Sequence, residues 1–311
     1  MVPSLKKIVI ICGPTGAGKS AVAVSLAQKL GGEIVSADSQ AVYRGMDIGT
    51  AKPSKLEREA VPHHLIDVAD PDEHFDAFRF VKLADEAIND IISRGKVPFV
   101  VGGTGMYIRM LVHGVSKAPG GDEELRRGLE IKIKDDGLRS LHDRLREIDP
   151  EAAAKIKATD KTRIIRALEV FELTGSTISS FNKEHQFAGR RYDALQIGIN
   201  APREELYKKI NARIDAMLVA GLLDEVKGLV KKYGSDIQSL KAVGYKEFVE
   251  HLRGDSTLAR ATELAKQHSR QYAKRQLTWF KNVNDIKWFE SGQTREMMSA
   301  ICQFIGLLDA V

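Results

Sequence analysis

The stretch that decides the fold is KIVIICGPTGAGKS, residues 7–20. Its first half, Lys7–Cys12, is β-branched and apolar, which is typical of a strand buried in a parallel sheet. Its second half fits the pattern G-x-x-x-x-G-K-S/T at every fixed position. Apolar residues at helical spacing then follow from Lys19 to Leu30. A glycine-rich turn between a strand and a helix is the setting of a phosphate-binding loop, so the sequence predicts such a loop here.

The chemistry of this loop follows from its residue types. The glycines let backbone N–H groups converge on phosphate oxygens, and the helix N-terminus adds positive potential. Lys19 is expected to neutralise the outer phosphate, and the Ser20 hydroxyl is expected to bind Mg²⁺, the one cofactor predicted. The predicted phosphate contacts are Gly13, Pro14, Thr15, Gly16, Ala17, Gly18, Lys19 and Ser20.

Strand and helix patterns alternate outward from the loop. Strands are predicted at 33–37, 97–101, 195–199 and 286–289, and helices at 19–30, 78–94, from 106, and over 202–233. The alternation indicates an α/β fold, a P-loop doubly wound parallel sheet. Residues 122–185 are highly charged and helical in pattern instead. We therefore expect a P-loop core domain with C-terminal helices (1–115 and 191–311) and a helical insertion domain (116–190).

The composition sets limits on function. Of 311 residues, 43% are hydrophobic and 29% are charged, and the formal net charge of +5 permits a nucleic-acid or phosphate partner without requiring one. Two cysteines, Cys12 and Cys302, are too few for a disulfide scaffold or a cysteine-rich zinc site. No apolar run approaches the ~18 residues of a membrane span. The expectation is a cytoplasmic protein with no membrane partner.

Two polar residues follow strands next to the loop. Asp38 comes directly after the second predicted strand, and Thr104 follows the strand at 97–101. Ligands in such sheets gather at the carboxyl ends of the strands, so both residues should face the phosphate loop. Each could instead be a turn former or a helix cap. The strand at 97–101 ends in Gly-Gly-Thr and not in the acidic residue that an ATPase or kinase needs.

Several longer segments carry a family resemblance. They are SADSQAVYRGMDIGTAKP (36–53), VPHHLID (61–67), VGGTGMY (101–107), RIIRALE (163–169), AVGYK (242–246) and KRQLTWF (274–280). In this order, from residue 7 to about residue 290, they resemble the tRNA dimethylallyltransferases, also called tRNA isopentenyltransferases. Some eukaryotic members carry a C-terminal zinc finger. This sequence has one late cysteine, Cys302, so the resemblance points to the bacterial type.

The resemblance implies a reaction. The family transfers a dimethylallyl group from dimethylallyl diphosphate to N6 of the adenosine that follows the anticodon, tRNA position 37, and releases diphosphate. It implies that the loop holds the diphosphate of this donor and that Asp38 is the general base. Lys19, Thr104 and Arg213 would stabilise the leaving group. Without the resemblance, Arg213 could equally be a solvated charge on an amphipathic helix.

The resemblance and the charge pattern together predict how tRNA is held. Lys266, Arg270 and Lys274 recur every four residues in a window without acids, next to Trp279, which could instead be a core residue. Gln40 could contact the adenine edge or only complete a turn. The predicted contacts to the anticodon stem-loop are Asp38, Ser39, Gln40, Ala41, Thr104, Arg126, Thr162, Arg163, Ile164, Ile165, Arg166, Gly244, Tyr245, Lys246, Lys274, Arg275 and Gln276.

Other functions remain open at this point. An adenylate isopentenyltransferase would share Asp38 and the loop but would not need the basic window at 266–281. A small P-loop kinase lacks a clear acidic partner for its metal, and an RNA-binding protein with a decayed loop would not need Lys19 and Ser20 intact. His63, His64 and His74 lack the spacing of a metal site. We expect a monomer with no obligatory protein partner.

Overall fold

The computed structural model describes residues 5–186 and 189–307. The chain divides into two compact units. The core unit comprises Met1–Val112 and Arg191–Val311, and the helical unit comprises His113–Arg190. Among the described residues, no helix has both the length and the apolar character needed to cross a membrane.

The core unit is built on a parallel sheet of six strands, so the predicted α/β fold is confirmed. The strands are β1 (Lys6–Cys12), β2 (Glu33–Ser36), β3 (His63–His64), β4 (Pro98–Gly102), β5 (Tyr192–Asn200) and β6 (Ile286–Glu290). Their order across the sheet is β3-β2-β4-β1-β5-β6, with Ile10 of β1 opposite Val100 of β4 and Gln196 of β5. The central strand β1 is buried from Ile8 to Cys12, as its apolar run predicts.

Thirteen helices are described. They are α1 (Lys19–Lys29), α2 (Lys55–Ala60), α3 (Ala77–Ser93), α4 (Gly105–His113), α5 (Glu123–Ile148), α6 (Pro150–Lys155), α7 (Lys161–Thr174), α8 (Ile178–His185), α9 (Arg203–Val219), α10 (Leu222–Tyr233), α11 (Lys246–Leu252), α12 (Leu258–Lys281) and α13 (Thr294–Ile305), with a short 3₁₀ turn at Ser239–Lys241.

The structure corrects one predicted helix and adds elements that were not predicted. The single helix expected over 202–233 is two helices, because Gly221 takes a left-handed conformation (φ 102°) between α9 and α10. Strand β3 has only two residues, too few to show a periodic pattern. Helix α2 begins with a capping box between Ser54 and Glu57, which was a readable signal.

The helical unit has its own apolar core. Leu129, Leu141 and Leu145 of α5 pack with Ile164 and Leu168 of α7. Helix α5 is kinked at Gly137, whose backbone (φ 82°, ψ 156°) is not helical. A separate core explains why residues with a helical, highly charged sequence form a compact unit of their own.

Candidate active site

The carboxyl ends of β1, β2 and β4 converge, and backbone hydrogen bonds fix them there. The Ala37 N–H donates to the Val101 carbonyl (2.8 Å), and the Thr104 N–H donates to the Ala37 carbonyl (3.3 Å). Gly102 lies directly beside this crossing, where a Cβ would come within 2.1 Å of the Ala37 oxygen. The Gly-Gly-Thr sequence after β4 therefore exists because the chain that leaves β2 passes too close for a side chain.

The phosphate loop is held open by glycine conformations and by one amide side chain. Gly16 and Gly18 have φ values of 82° and 90°, which other residues rarely adopt. The buried Gln276 amide accepts a hydrogen bond from the Thr15 N–H (2.8 Å) and donates one to the Gly103 carbonyl (3.0 Å). Gln276, predicted as a tRNA contact, thus uses its amide to join the loop to the end of β4.

Lys19 lies in the loop as a cation with no carboxylate in ion-pair contact among the described residues. Its Nζ donates to the Pro14 carbonyl (2.8 Å). Burial lowers the pKa of Lys19 to about 8, the charge of Asp38 opposes this shift, and the Arg213 charge adds to it. A buried ammonium without an ion-pair partner is suited to an anionic ligand such as a phosphate.

Asp38 and Thr104 both accept hydrogen bonds from the turn that follows β2. Oδ1 of Asp38 accepts hydrogen bonds from the N–H groups of Gln40 (2.8 Å) and Ala41 (3.2 Å), and the Thr104 hydroxyl oxygen accepts one from the Ser39 N–H (3.1 Å). Asp38 therefore makes the turn bonds that its alternative interpretation predicted, whereas the Thr104 hydroxyl bonds to this turn and not to a helix N-terminus. Because both bonds to Asp38 use Oδ1, its Oδ2 is the oxygen available to a ligand.

Arg213 of α9 points to the loop. Its guanidinium donates to the Thr15 hydroxyl (3.4 Å) and to the Thr50 carbonyl (3.3 Å). Burial lowers the pKa of Arg213, and the Asp38 charge opposes this shift, yet a guanidinium stays protonated at neutral pH. The interpretation as a solvated helix charge is therefore wrong, and Arg213 adds a second cation beside Lys19.

Two cavities meet at these residues. The loop cavity, about 560 Å³, is lined by Gly16, Gly18, Lys19 and Ser20, and the α9 cavity, about 310 Å³, by Gln40, Tyr245 and Arg275. The residues that line both are Thr15, Asp38, Thr50, Arg213 and Tyr272. A ligand in each cavity would thus meet the other beside Asp38.

Some lining residues of the two cavities were not predicted from the sequence. Tyr272 of α12 lines both cavities, and burial raises its pKa to about 12. Ile210, Ile214 and Met217 form an apolar wall of the α9 cavity. Tyr272 lies four residues before Gln276 on the same helix face, and the three apolar residues follow helical spacing. Those patterns could have found them.

One lining residue of the α9 cavity, Gln40, has a polar atom without a partner. Oε1 of Gln40 is buried and accepts no hydrogen bond from the described residues. An acceptor buried in this way is costly unless a donor reaches it. Gln40 lines the α9 cavity, and a rotation of its amide would expose this acceptor to a ligand there.

The predicted tRNA contacts of the core unit fall into different environments. Gly244 and the buried Tyr245 line the α9 cavity, while Lys246 lies 3.7 Å from the buried Glu247 carboxylate. Lys274 and Arg275 are exposed on α12. The predicted basic face is only partly free, because Lys266 pairs with Asp215 (2.8 Å) and Arg270 donates to Asn211 (2.6 Å).

The predicted tRNA contacts of the helical unit are also unequal. Ile164 and Ile165 are buried in its core, so their side chains are not available to a ligand. Arg126 and Arg166 both pair with the fully buried Glu169, at 2.7 and 2.6 Å. Thr162 and Arg163 are exposed at the start of α7.

The protein offers little to a metal ion on its own. Within residues 5–186 and 189–307, no cluster of three or more His, Cys, Asp or Glu side chains could hold one. His63 contacts the Val61 carbonyl and His64 contacts Glu33, each at 2.7 Å. Ser20 is exposed and lines the loop cavity. This donor set suits Mg²⁺, which takes few protein ligands and keeps waters and substrate phosphates.

Comparison with known proteins identifies the family. The profile described as "IPP transferase" matches residues 41–283, and that described as "Isopentenyl transferase" matches residues 6–67. A tRNA dimethylallyltransferase of Pelobacter propionicus is 50% identical over 93% of this chain and 94% of its own, and one of Geobacter metallireducens is 49% identical over 96% and 97%.

Solved structures agree with these sequence matches. A tRNA isopentenylpyrophosphate transferase of Bacillus halodurans has a TM-score of 0.73 at 42% identity, over 97% of both chains. A eukaryotic dimethylallyltransferase acting on tRNA has a TM-score of 0.83 at 30% identity, over 97% of this chain and 80% of its own. With a matching profile over most of the chain and relatives near 50% identity across almost all of it, this chain belongs to the tRNA dimethylallyltransferase family.

Proposed function

We propose that this protein transfers a dimethylallyl group from dimethylallyl diphosphate to N6 of the adenosine that follows the anticodon in tRNA, giving N6-isopentenyladenosine and diphosphate. One observation carries the proposal beyond family membership. The loop cavity and the α9 cavity share Asp38, Arg213 and Tyr272 as lining residues. A diphosphate in one cavity and a purine in the other would meet where a carboxylate and a cation are both present.

The proton transfer is assigned to Asp38. The N6 amine is a weak nucleophile because its lone pair is delocalised into the ring, so losing a proton as the C–N bond forms assists the attack. The N6–H proton moves to Oδ2 of Asp38, the new bond forms from N6 to C1 of the allyl group, and the C1–O bond breaks. The Asx turn at Oδ1 holds the carboxylate in place for this step.

The leaving diphosphate gains negative charge as the C1–O bond breaks. We assign its stabilisation to the loop N–H groups, Lys19 and Arg213, with the Thr104 hydroxyl as a further candidate donor. Mg²⁺ held by Ser20 and the diphosphate would add Lewis-acid charge neutralisation. The apolar wall of Ile214 and Met217 keeps water from the reactive allyl carbon.

The acceptor base must leave its stacked loop to reach Asp38, at a cost of a few kcal/mol. We propose that the unpaired Gln40 Oε1 accepts a hydrogen bond from the extruded adenine amino group, on its second N–H. Arg275, which lines the α9 cavity, and Lys274, which precedes it on α12, are both exposed and would bind phosphates of the anticodon arm. Thr162 and Arg163 would make further contacts from the helical unit.

The test is a transfer assay with defined acceptors. Purified protein, dimethylallyl diphosphate and Mg²⁺ are incubated with unmodified tRNA, and in parallel with AMP, ADP or ATP, and the digested products are analysed by mass spectrometry. Isopentenyladenosine in the tRNA reaction alone is the expected result. If product forms only with a free nucleotide, the acceptor is an adenine nucleotide and not tRNA. ATP hydrolysis without prenylation would replace the transferase by an NTPase.

We also propose that a single chain forms the whole active site. The phosphate loop, Asp38 and Arg213, to which the proposal assigns the chemistry, come together within one chain. Light scattering of the purified protein during gel filtration, followed by the transfer assay on the monomer fraction, tests this. An active dimer with an inactive monomer would contradict it.

A further inference from the structure

One carboxylate outside the cavities ties together the chain segments that form their walls. Glu225 of α10 accepts hydrogen bonds from three consecutive backbone N–H groups, those of Asp47 (2.9 Å), Ile48 (2.7 Å) and Gly49 (3.1 Å). Its Oε1 also accepts the Tyr245 hydroxyl (2.7 Å). Four donors therefore meet on one carboxylate, and none of the four is a cation.

The three backbone donors belong to a segment without regular secondary structure. Residues 47–49 form turns and no helix or strand, so no backbone ladder fixes them. Hydrogen bonds from N–H groups to a carboxylate are stronger than bonds to a neutral oxygen. Glu225 thus fixes the N–H groups of residues 47–49, as a helix or a strand would do in a regular segment.

Tyr245 contacts the same segment and the same carboxylate. Its side chain is 1% exposed, and its ring packs so closely on Gly49 that a Cβ there would come within 2.5 Å of it. Burial and the Glu225 carboxylate both raise the pKa of the Tyr245 hydroxyl, so it stays a donor. Residues 241–245 and 49–50 both line the α9 cavity, and Glu225 joins them.

The segment leads directly to the leaving-group machinery. Thr50 follows Gly49, and its carbonyl accepts a hydrogen bond from Arg213 (3.3 Å), whose other nitrogen donates to Thr15 of the phosphate loop (3.4 Å). Arg213 has no carboxylate in ion-pair contact among the described residues. The Thr50 carbonyl is therefore one of two fixed points that set where its guanidinium lies.

We infer that Glu225 is a positioning residue that orients Arg213 toward the diphosphate, through residues 47–50 and with Tyr245 as its second anchor. The inference rests on the proposed function only in taking a diphosphate as the ligand of the loop cavity. Glu225 touches neither substrate. Its role is to hold this irregular segment so that the Arg213 guanidinium is preorganised when diphosphate binds.

The test is a double-mutant cycle read out as binding of inorganic diphosphate with Mg²⁺ by calorimetry, which does not depend on transfer. Glu225→Gln keeps the size of the side chain but places an NH₂ group against N–H donors. We expect affinity to fall about tenfold in the Glu225→Gln protein and by less than about twofold when Arg213→Ala is already present. Glu250→Gln, which changes an exposed carboxylate of α11, is the matched control and should leave affinity unchanged.

The outcomes separate a positioning role from general damage to the fold. Unchanged affinity in Glu225→Gln, or an equal loss with and without Arg213, would overturn the inference. If Glu225→Gln does not fold, Tyr245→Phe decides, because it removes one hydroxyl and keeps the ring on Gly49. It should lower diphosphate affinity about threefold, again only when Arg213 is present. Diphosphate binding without prenyl transfer would leave this inference intact and contradict the proposed function instead.

Discussion

The amino ends of the parallel strands form one edge of the sheet (the amino edge), and their carboxyl ends form the other (the carboxyl edge). Charged side chains at these two edges are stabilised in opposite ways. At the amino edge, Glu33 is 2% exposed and contacts Arg94, Lys96 and His64. At the carboxyl edge, Lys19 and Arg213 donate only to uncharged oxygens within the described residues. Neighbouring side chains neutralise the charge of Glu33, whereas none neutralises Lys19 or Arg213 within the described residues. Charge that the fold leaves unneutralised identifies the ligand site, whereas buried charge alone does not.

The pKa shifts follow the same division. Arg94 is the largest cause that lowers the pKa of Glu33 well below its usual range, and Lys96 and His64 act in the same direction. At the other edge burial dominates and lowers the pKa of both Lys19 and Arg213. Partners stabilise the charged form in the first case, and desolvation opposes it in the second. An anionic ligand would restore the balance at the carboxyl edge.

The largest expected effect comes from Asp38, the carboxylate that lines both cavities. Asp38→Asn retains an Oδ1 acceptor for the Gln40 and Ala41 N–H groups but cannot take up the N6 proton. We expect single-turnover transfer to fall about 10²- to 10⁴-fold. Affinity for tRNA should stay within a few fold. Transfer at the normal rate would show that Asp38 has only the turn-forming role.

A similar substitution at the amino edge should act on stability and not on chemistry. Glu33→Gln leaves Lys96 without its counter-charge and Arg94 with Asp90 alone, and because both cations are partly exposed we expect a loss of about 3 kcal/mol in the free energy of unfolding. Denaturant titration measures this. Transfer by the folded fraction should be unchanged, and a selective loss of activity would contradict the division between the edges.

The contribution of Glu33 to the free energy of unfolding should decrease as the pH falls. The pKa of Glu33 is lower in the folded protein than in the unfolded chain, so the unfolded chain binds a proton first as the pH falls. The contribution of Glu33 is therefore fully present above a pH of about 4.3 and is lost progressively below it. In Glu33→Gln the acid limb of the stability curve should be flatter than in the wild type.

Much of the carboxyl edge was predictable, for reasons that particular residues show. The P-loop motif gave Lys19 and the strand ends gave Asp38, because a parallel sheet brings such ends together. Arg213 needed the family resemblance, since a helix charge carries no local signal of burial. Glu225 could not be found at all, because its partners are backbone N–H groups 176 to 178 residues earlier in the chain.

The tRNA contacts that the family resemblance implied show where sequence similarity misleads. It named Gln276, Ile164 and Ile165 as tRNA contacts, whereas the structure uses the Gln276 amide within the core unit and buries both isoleucines. Sequence similarity marks a residue as important without saying what it touches. Only burial and hydrogen-bond partners separate a residue that supports a site from one that contacts a ligand.

A smaller effect is expected from titration of Lys19. With its pKa near 8 in the free protein, Lys19 loses its proton as the pH rises from 7 to 9. Because diphosphate favours the charged form, its affinity should fall roughly tenfold over that range. Lys19→Arg stays protonated, so the ratio of wild-type to variant affinity isolates this residue from the titration of diphosphate itself. A ratio that does not change with pH would contradict the lowered pKa.

The smallest expected effect comes from a comparison within one helix, between cations that pair with carboxylates and cations that do not. Lys274 and Arg275 of α12 are exposed, whereas Lys266 of that helix is 15% exposed and pairs with Asp215 and Glu263. The double variant Lys274→Gln/Arg275→Gln should weaken tRNA binding several-fold and lower the slope of log affinity against log salt by roughly 0.7 to 0.9 for each phosphate that is no longer neutralised. Filter binding at several salt concentrations measures both quantities.

Two control variants separate the effect of pairing a cation with carboxylates from the effect of changing the net charge of the protein. Lys231→Gln/Lys232→Gln removes two exposed charges from α10 and should leave the slope unchanged. Lys266→Gln should also leave it unchanged, because an ammonium already held by two carboxylates releases no counterion when RNA binds. An equal decrease of the slope in Lys266→Gln would mean that carboxylate partners do not withdraw a cation from ligand binding. The distinction between the two edges of the sheet would then fail as a way to locate a site.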